Sequence, residues 1–170
     1  VAIKVYDNMK PFARYAFNKS HAAAYAVLAY QKAYLKRYYP VQFFCSILNN
    51  RIDKIEELSK YLTYLKSKNI EVYPPDVNKS KPFFSCENGG LRFGLAGLKN
   101  VGVAVVNDIV NERDKNGEFR SFEDFIERAT PLNINKRLVE SLILAGAFDS
   151  FNVNRRTLMQ IYADFMDRVS

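Results

Sequence analysis

Apolar residues recur every three or four positions along most of this 170-residue chain, the period of helices that bury one face. Val5, Met9 and Phe12 carry that spacing through Val1–Arg14, with Lys4, Lys10 and Arg14 as the polar positions. A long run of helix formers then extends to Tyr39-Pro40, with Ser20 placed as its N-cap. Ala22, Ala23, Ala26, Leu28, Ala29, Ala33 and Leu35 make this run small and apolar. Pro40 stops it and opens a short helix to about Asn49, with Phe43, Phe44, Ile47 and Leu48 on its apolar side. Ile55, Leu58, Leu62 and Leu65 mark an amphipathic helix over Asp53–Lys68, and Asn69 suits the left-handed residue that closes it.

The period then breaks. Pro74-Pro75-Asp76 interrupts the helical pattern, which places a subdomain boundary in Tyr73–Pro82. Phe83–Cys86 and Leu91–Phe93 flank Asn88-Gly89-Gly90, a hairpin composition. Helical spacing returns at Val103–Arg113 and ends at the turn Asn116-Gly117. Ser121 with Asp124 reads as a capping box for a helix to about Arg128. Asn135 caps a helix through Leu144 that Gly146 closes, and Asn154 caps a last helix, Arg155–Arg168. The pattern predicts a mainly α chain: a helical subdomain, then a small β-hairpin, then a helix-hairpin-helix-like helical subdomain. The expected division is 1–72, 73–150 and a C-terminal helix at 151–170.

Composition narrows the function classes. Hydrophobic residues make up 48% of the chain, enough for a core, and no apolar run approaches the ~18 residues of a membrane span. Val1 stands inside a helical pattern without an initiating Met or secretory signal, so a piece of a longer protein is expected. Cys45 and Cys86 are far apart and form no CxxC pair, which leaves zinc unsupported and free thiols expected. The net charge of +7 is unevenly spread. Residues 1–51 carry eight Lys or Arg against one Asp, a net of +7, whereas residues 83–170 carry eleven basic and twelve acidic groups, a net of −1. A basic first third fits phosphate-bearing partners.

Two stretches could carry chemistry. At the start of the long Tyr-rich helix, Lys19 and His21 join the unpaired amides and positive pole of a helix N-terminus, a plausible seat for a phosphate or triphosphate. His21, Tyr25, Lys32 and Lys36 lie near one face further along. The second stretch is Asn100-Val101-Gly102, which resembles the turn of a helix-hairpin-helix motif, where small residues aim backbone amides at one DNA phosphate. The motif's first Gly is here Asn100, which tolerates φ > 0. Leu98, Val101, Ala104 and Ile109 are the expected core of that unit. Ser121–Leu144 is a degenerate second unit, with Asn133-Ile134-Asn135-Lys136 at its turn. His21 is the only histidine, and the chain has no GxxxxGK[ST] or GxGxxG loop and no close acidic pair for two Mg²⁺ ions.

The stretch Phe17–Pro40, FNKSHAAAYAVLAYQKAYLKRYYP, closely resembles a segment in the fingers of bacterial family C replicative DNA polymerases, the polymerase III alpha subunits. The resemblance continues in order through Tyr73–Ser80, Leu91–Leu95, Lys99–Gly102 and Asn135–Phe148, nearly the whole chain. It implies that residues 1–72 are the C-terminal part of the fingers and 73–150 a duplex-holding helix-hairpin-helix region. By motif position it implies Lys19, His21, Arg14, Tyr25 and Lys32 for the incoming deoxynucleoside triphosphate. For primer-template duplex it implies Asn100, Val101 and Gly102, flanked by Lys99 and Lys136. It also implies a cytoplasmic replisome enzyme, a nucleotidyltransferase whose Mg²⁺-binding aspartates lie in a palm domain upstream. This stretch would then need no cofactor and would be inactive alone. The alternatives are a non-enzymatic helix-hairpin-helix DNA-binding module and a helical protein-docking module.

Overall fold

A computed structural model describes residues 2–14 and 19–169, apart from the side chains of residues 11–14 and 55. The chain divides into two compact units, Val1–Pro40 and Val41–Ser170.

The first unit holds α1 (Ala2–Arg14) and α2 (Lys19–Tyr38). Lys19 is already helical, so Ser20 lies inside α2 and is not the N-cap its residue type suggested. Apolar side chains are spread around α2 instead of gathered in one stripe, and none of its residues is buried. Tyr30, Tyr34 and Tyr38 form a ladder at four-residue spacing, with ring centroids 6.5 and 4.6 Å apart.

In the second unit, α3 (Pro40–Asn49) and α4 (Ile55–Ser67) each bury one stripe. Phe44 and Leu48 meet Leu58 and Leu65, and Phe84 and Leu91 of the hairpin close this smaller core. Strands β2 (Ser85–Glu87) and β3 (Gly90–Arg92) pair antiparallel, with Glu87 opposite Gly90. That register leaves a two-residue loop, Asn88-Gly89, with φ of +47° and +78°. Two positive φ values are what a primed hairpin turn requires, and Asn-Gly supplies them at little cost. A third strand, β1 (Val72–Tyr73), pairs parallel with β3 and gives the order β1-β3-β2. Its two residues were too short a signal for the period-two pattern. Strand β1 also joins residues 72–73 to the hairpin across the expected boundary, and the division into compact units falls at Pro40/Val41.

The larger core is built by α5 (Val103–Asn116), α6 (Phe122–Ala129), α7 (Lys136–Ala145) and α8 (Arg155–Val169). Phe122, Phe125 and Phe148 stack edge to face with centroids 4.9 to 5.0 Å apart, and Phe119 meets Phe125 at 5.1 Å. Val106 and Ile109 from α5 and Leu138, Val139, Leu142 and Ile143 from α7 complete it. The loop after β1 is pinned to this core. Asn78 exchanges two bonds of 2.8 Å with the Phe119 backbone. The buried Arg113 of α5 donates to the carbonyls of Val77 at 3.1 Å and Ser80 at 2.8 Å. These bonds satisfy a polar loop that crosses apolar ground. The architecture is mainly helical with one small sheet.

Candidate nucleic-acid interface

The turn before α5 is built from short-range rules. A 3-10 turn at Leu95–Gly97 leads in, in place of a first α-helix. Asn100 then takes φ of +64°, a conformation its short polar side chain tolerates, and Val101 turns inward and is buried. Gly102 is the N-cap of α5, extended at φ −77° and ψ 143°, and offers no side-chain cap. It is exposed, with Val103 and Ala104 beyond it. Ala104 was expected in the core, but the helix presents the position two residues on, Val106, and leaves Ala104 exposed. The first-turn amides of α5 therefore open to solvent around a residue whose Cβ position meets nothing within 4 Å. Asn100 Nδ2 donates to Ser141 Oγ of α7 at 3.4 Å, which ties this turn to the next unit.

A related backbone course occurs twice more, with the left-handed Asn directly after the 3-10 turn and not three residues past it. Thr130–Leu132 forms a 3-10 turn, Asn133 is left-handed at φ +59°, Ile134 is buried and Asn135 caps α7. Asp149–Phe151 forms another, Asn152 is left-handed at φ +57°, and Asn154 precedes α8. The third turn was missed in the sequence, although Asn-Val-Asn at 152–154 repeats the pattern of Asn-Ile-Asn at 133–135. The caps differ from Gly102. Asn135 Oδ1 accepts from the Leu138 amide at 2.9 Å, and Asn154 Oδ1 from the Arg156 amide at 2.8 Å, so each occupies a first-turn donor.

Several nearby cations already have acidic partners. Lys136 pairs with Asp167 at 2.7 Å on the surface. Arg155 is bonded to Asp149 and to the Leu144 carbonyl, and its hydrogen bond holds the Asp149 carboxyl below its ordinary value. Lys99, Arg137 and Arg156 are exposed beside the three turns.

On α2, His21 and Tyr25 meet with ring centroids 4.5 Å apart, and both are exposed. At about 100° per residue, His21, Tyr25, Lys32 and Lys36 fall within an arc of roughly 60°. Because Lys19 lies within the helix, it stands about 200° around the axis from His21 and is not brought to their face. The Arg14 side chain lies outside the described residues. Among the described residues no group of three or more His, Cys, Asp or Glu could hold a metal ion, and no helix is long and apolar enough to cross a membrane.

Residues 69–158 match the family pattern described as the helix-hairpin-helix motif. The whole chain aligns at 45% identity with 15% of the DNA polymerase III subunit alpha of Borreliella burgdorferi. The corresponding subunit of Bacillus subtilis is 42% identical over 93% of this chain and 14% of its own length. That of Thermus aquaticus is 40% identical over 94% of this chain and 13% of its own. The chain thus spans about one seventh of the curated relatives it matches.

Proposed function

Since the chain belongs to the helix-hairpin-helix motif family and its relatives carry the name DNA polymerase III subunit alpha, we propose that it is a segment of such a subunit and holds duplex DNA through backbone amides at Asn100–Gly102. The carrying observation is the uncapped, unobstructed N-terminus of α5 behind Gly102. A phosphate oxygen there accepts from oriented amides and meets the positive helix pole. Lys99 and Lys136 flank the contact as long-range cations. Recognition of this kind reads the backbone and no base sequence.

Within the parent enzyme, residues 1–72 form the C-terminal part of the fingers. There Lys19, His21, Arg14, Tyr25 and Lys32 contribute to the incoming triphosphate, with His21, Tyr25 and Lys32 as one face. Residues 73–150 hold the product duplex, and the nucleotidyl transfer takes place on palm aspartates with Mg²⁺ elsewhere in the polymerase. The remaining partners are the rest of the polymerase chain and the cytoplasmic replisome.

Gly102→Val tests the duplex contact. The backbone there is extended, which valine adopts freely, and the new Cβ meets open space, so the fold is retained. The isopropyl group stands where a phosphate must come within hydrogen-bond distance. Affinity for every duplex sequence should fall about tenfold or more, since a bond to a charged group contributes roughly 1.5–3 kcal/mol. A variant with unchanged circular dichroism that binds duplex as well as the parent overturns the assignment.

A further inference from the structure

The chain's two cysteines stand far apart in sequence, and the fold sets them side by side. On α3, the Cys45 thiol donates to the Phe84 carbonyl at 3.1 Å. One turn on, Asn49 grips the same residue: its Nδ2 donates to the Phe84 carbonyl at 3.0 Å and its Oδ1 accepts from the Phe84 amide at 2.8 Å. Asn49 Nδ2 also lies 3.8 Å from Cys45 Sγ. Cys86 follows Phe84 by two residues, so the alternation of a strand turns both to one face. It stands opposite Leu91, which enters the same core as Phe44 and Leu48 of α3. Cys45 Sγ thus rests against the backbone two residues before Cys86, which sets the two thiols close to one another. Cys86 is exposed and Cys45 is half-buried.

We propose that Cys45 and Cys86 form a reversible disulfide that fastens α3 to β2, with a small-molecule disulfide of the glutathione class as oxidant. The exposed Cys86 thiolate attacks one sulfur of the reagent, the reagent's S–S bond breaks, and one small thiolate leaves and takes up a proton. Cys86 is now a mixed disulfide. Cys45 then gives its proton to solvent, and its thiolate attacks the Cys86 sulfur and displaces the second small thiolate. The protein dithiol loses two electrons and two protons, and the reagent is reduced to two thiols. Loss of solvent, followed by the charge of Cys86, pushes the Cys45 thiol up to about 11, so Cys45 is a poor first nucleophile. Once Cys86 is in the mixed disulfide its charge is gone, and that part of the hindrance is relieved. The bond replaces the Cys45–Phe84 contact and leaves both Asn49 bonds to Phe84 in place.

The test is incubation of the whole chain with excess oxidised glutathione in mildly alkaline buffer, read by intact mass and non-reducing peptide mapping. The expected product has lost two hydrogens, joins the Cys45 and Cys86 peptides within one molecule, and returns to the dithiol with dithiothreitol. Its denaturant midpoint is raised, and the rise disappears on reduction. Cys45→Ser should stop at a stable glutathione adduct on Cys86, and Cys86→Ser should react far more slowly. A wild-type protein that stops with one glutathione on Cys86 and a free Cys45, or that cross-links only between molecules, overturns the proposal.

Discussion

Arg92 carries a charge into the interior of the sheet, where only 6% of the residue reaches solvent. Its guanidinium is answered on every side. Nε donates to Glu87 at 2.8 Å, Nη2 to the other Glu87 oxygen at 2.5 Å, Nη1 to the Pro74 carbonyl at 2.8 Å, and the plane lies 4.9 Å from the Tyr73 ring centre. The hydrogen bond from Arg92 is the main reason the Glu87 carboxyl titrates below its ordinary value of 4.5. A depressed carboxyl contributes stability above that value and loses it as pH falls through the lower folded value. Glu87→Gln removes the counter-charge from a buried cation. It should cost about 1–3 kcal/mol at neutral pH and make the loss of stability in acid less steep. Denaturant melts of both proteins at neutral and acid pH check this; equal stability and equal acid slopes would show that the pair contributes nothing. Asp149 and Glu112 are also held low, the first by Arg155 and the second by Asn116 and then Arg128, so part of the acid sensitivity remains in the variant.

At the scale of elements, side-chain caps distinguish α6 and α7 from α5, whose first turn has none. Ser121 accepts from the Asp124 amide at 3.2 Å, and Asp124 accepts in return from Arg120 at 2.8 Å, one residue earlier than the usual capping box. Asn135 caps α7, which delivers four buried side chains to the larger core. Asn135→Ala should therefore lower global stability by about 1 kcal/mol, within a usual range of roughly 0.5–2, and be read in denaturant midpoint with the slope unchanged. Gly102→Val, by contrast, acts on α5, whose first turn has no side-chain cap to lose, and should change duplex affinity without changing that midpoint. The same values for both variants in both assays would erase the distinction between structural cap and contact.

For the molecule as a whole, the charge and the turn motif lie in different places. The excess of +7 sits in residues 1–51, while residues 83–170 are slightly acidic overall. Duplex held at Asn100–Gly102 through amides should give a shallow salt dependence, because the slope follows the number of cations that displace counterions. A steep slope abolished by changing Lys32 and Lys36 would move the duplex to the α2 face. Phosphoryl transfer in polymerases depends mainly on metals and positioned phosphates, and no described cluster of acidic residues could hold a metal. The purified chain should show no primer extension with any divalent ion. Extension that survives repurification would overturn the division of labour proposed above.

What could be read from the sequence was local. The helices with a single apolar stripe, the Asn88-Gly89 hairpin and the caps at Ser121, Asn135 and Asn154 follow from side-chain period and backbone preference within a few residues. The resemblance in order of motifs pointed to the family. Four features needed the tertiary structure. Strand β1 exists because β3 offers it an edge, and two residues carry too little pattern to announce that pairing. Val106, and not Ala104, is buried because the angle at which α5 lies on the core decides which neighbour faces inward. Lys19 and His21 diverge because Lys19 already lies within α2, where two residues of separation are about 200° of rotation, and not in an extended lead-in to it. Cys45 and Cys86 come near one another because α3 packs on the segment that leads into β2, where Cys45 donates to the Phe84 carbonyl 39 positions away, and no local preference encodes that.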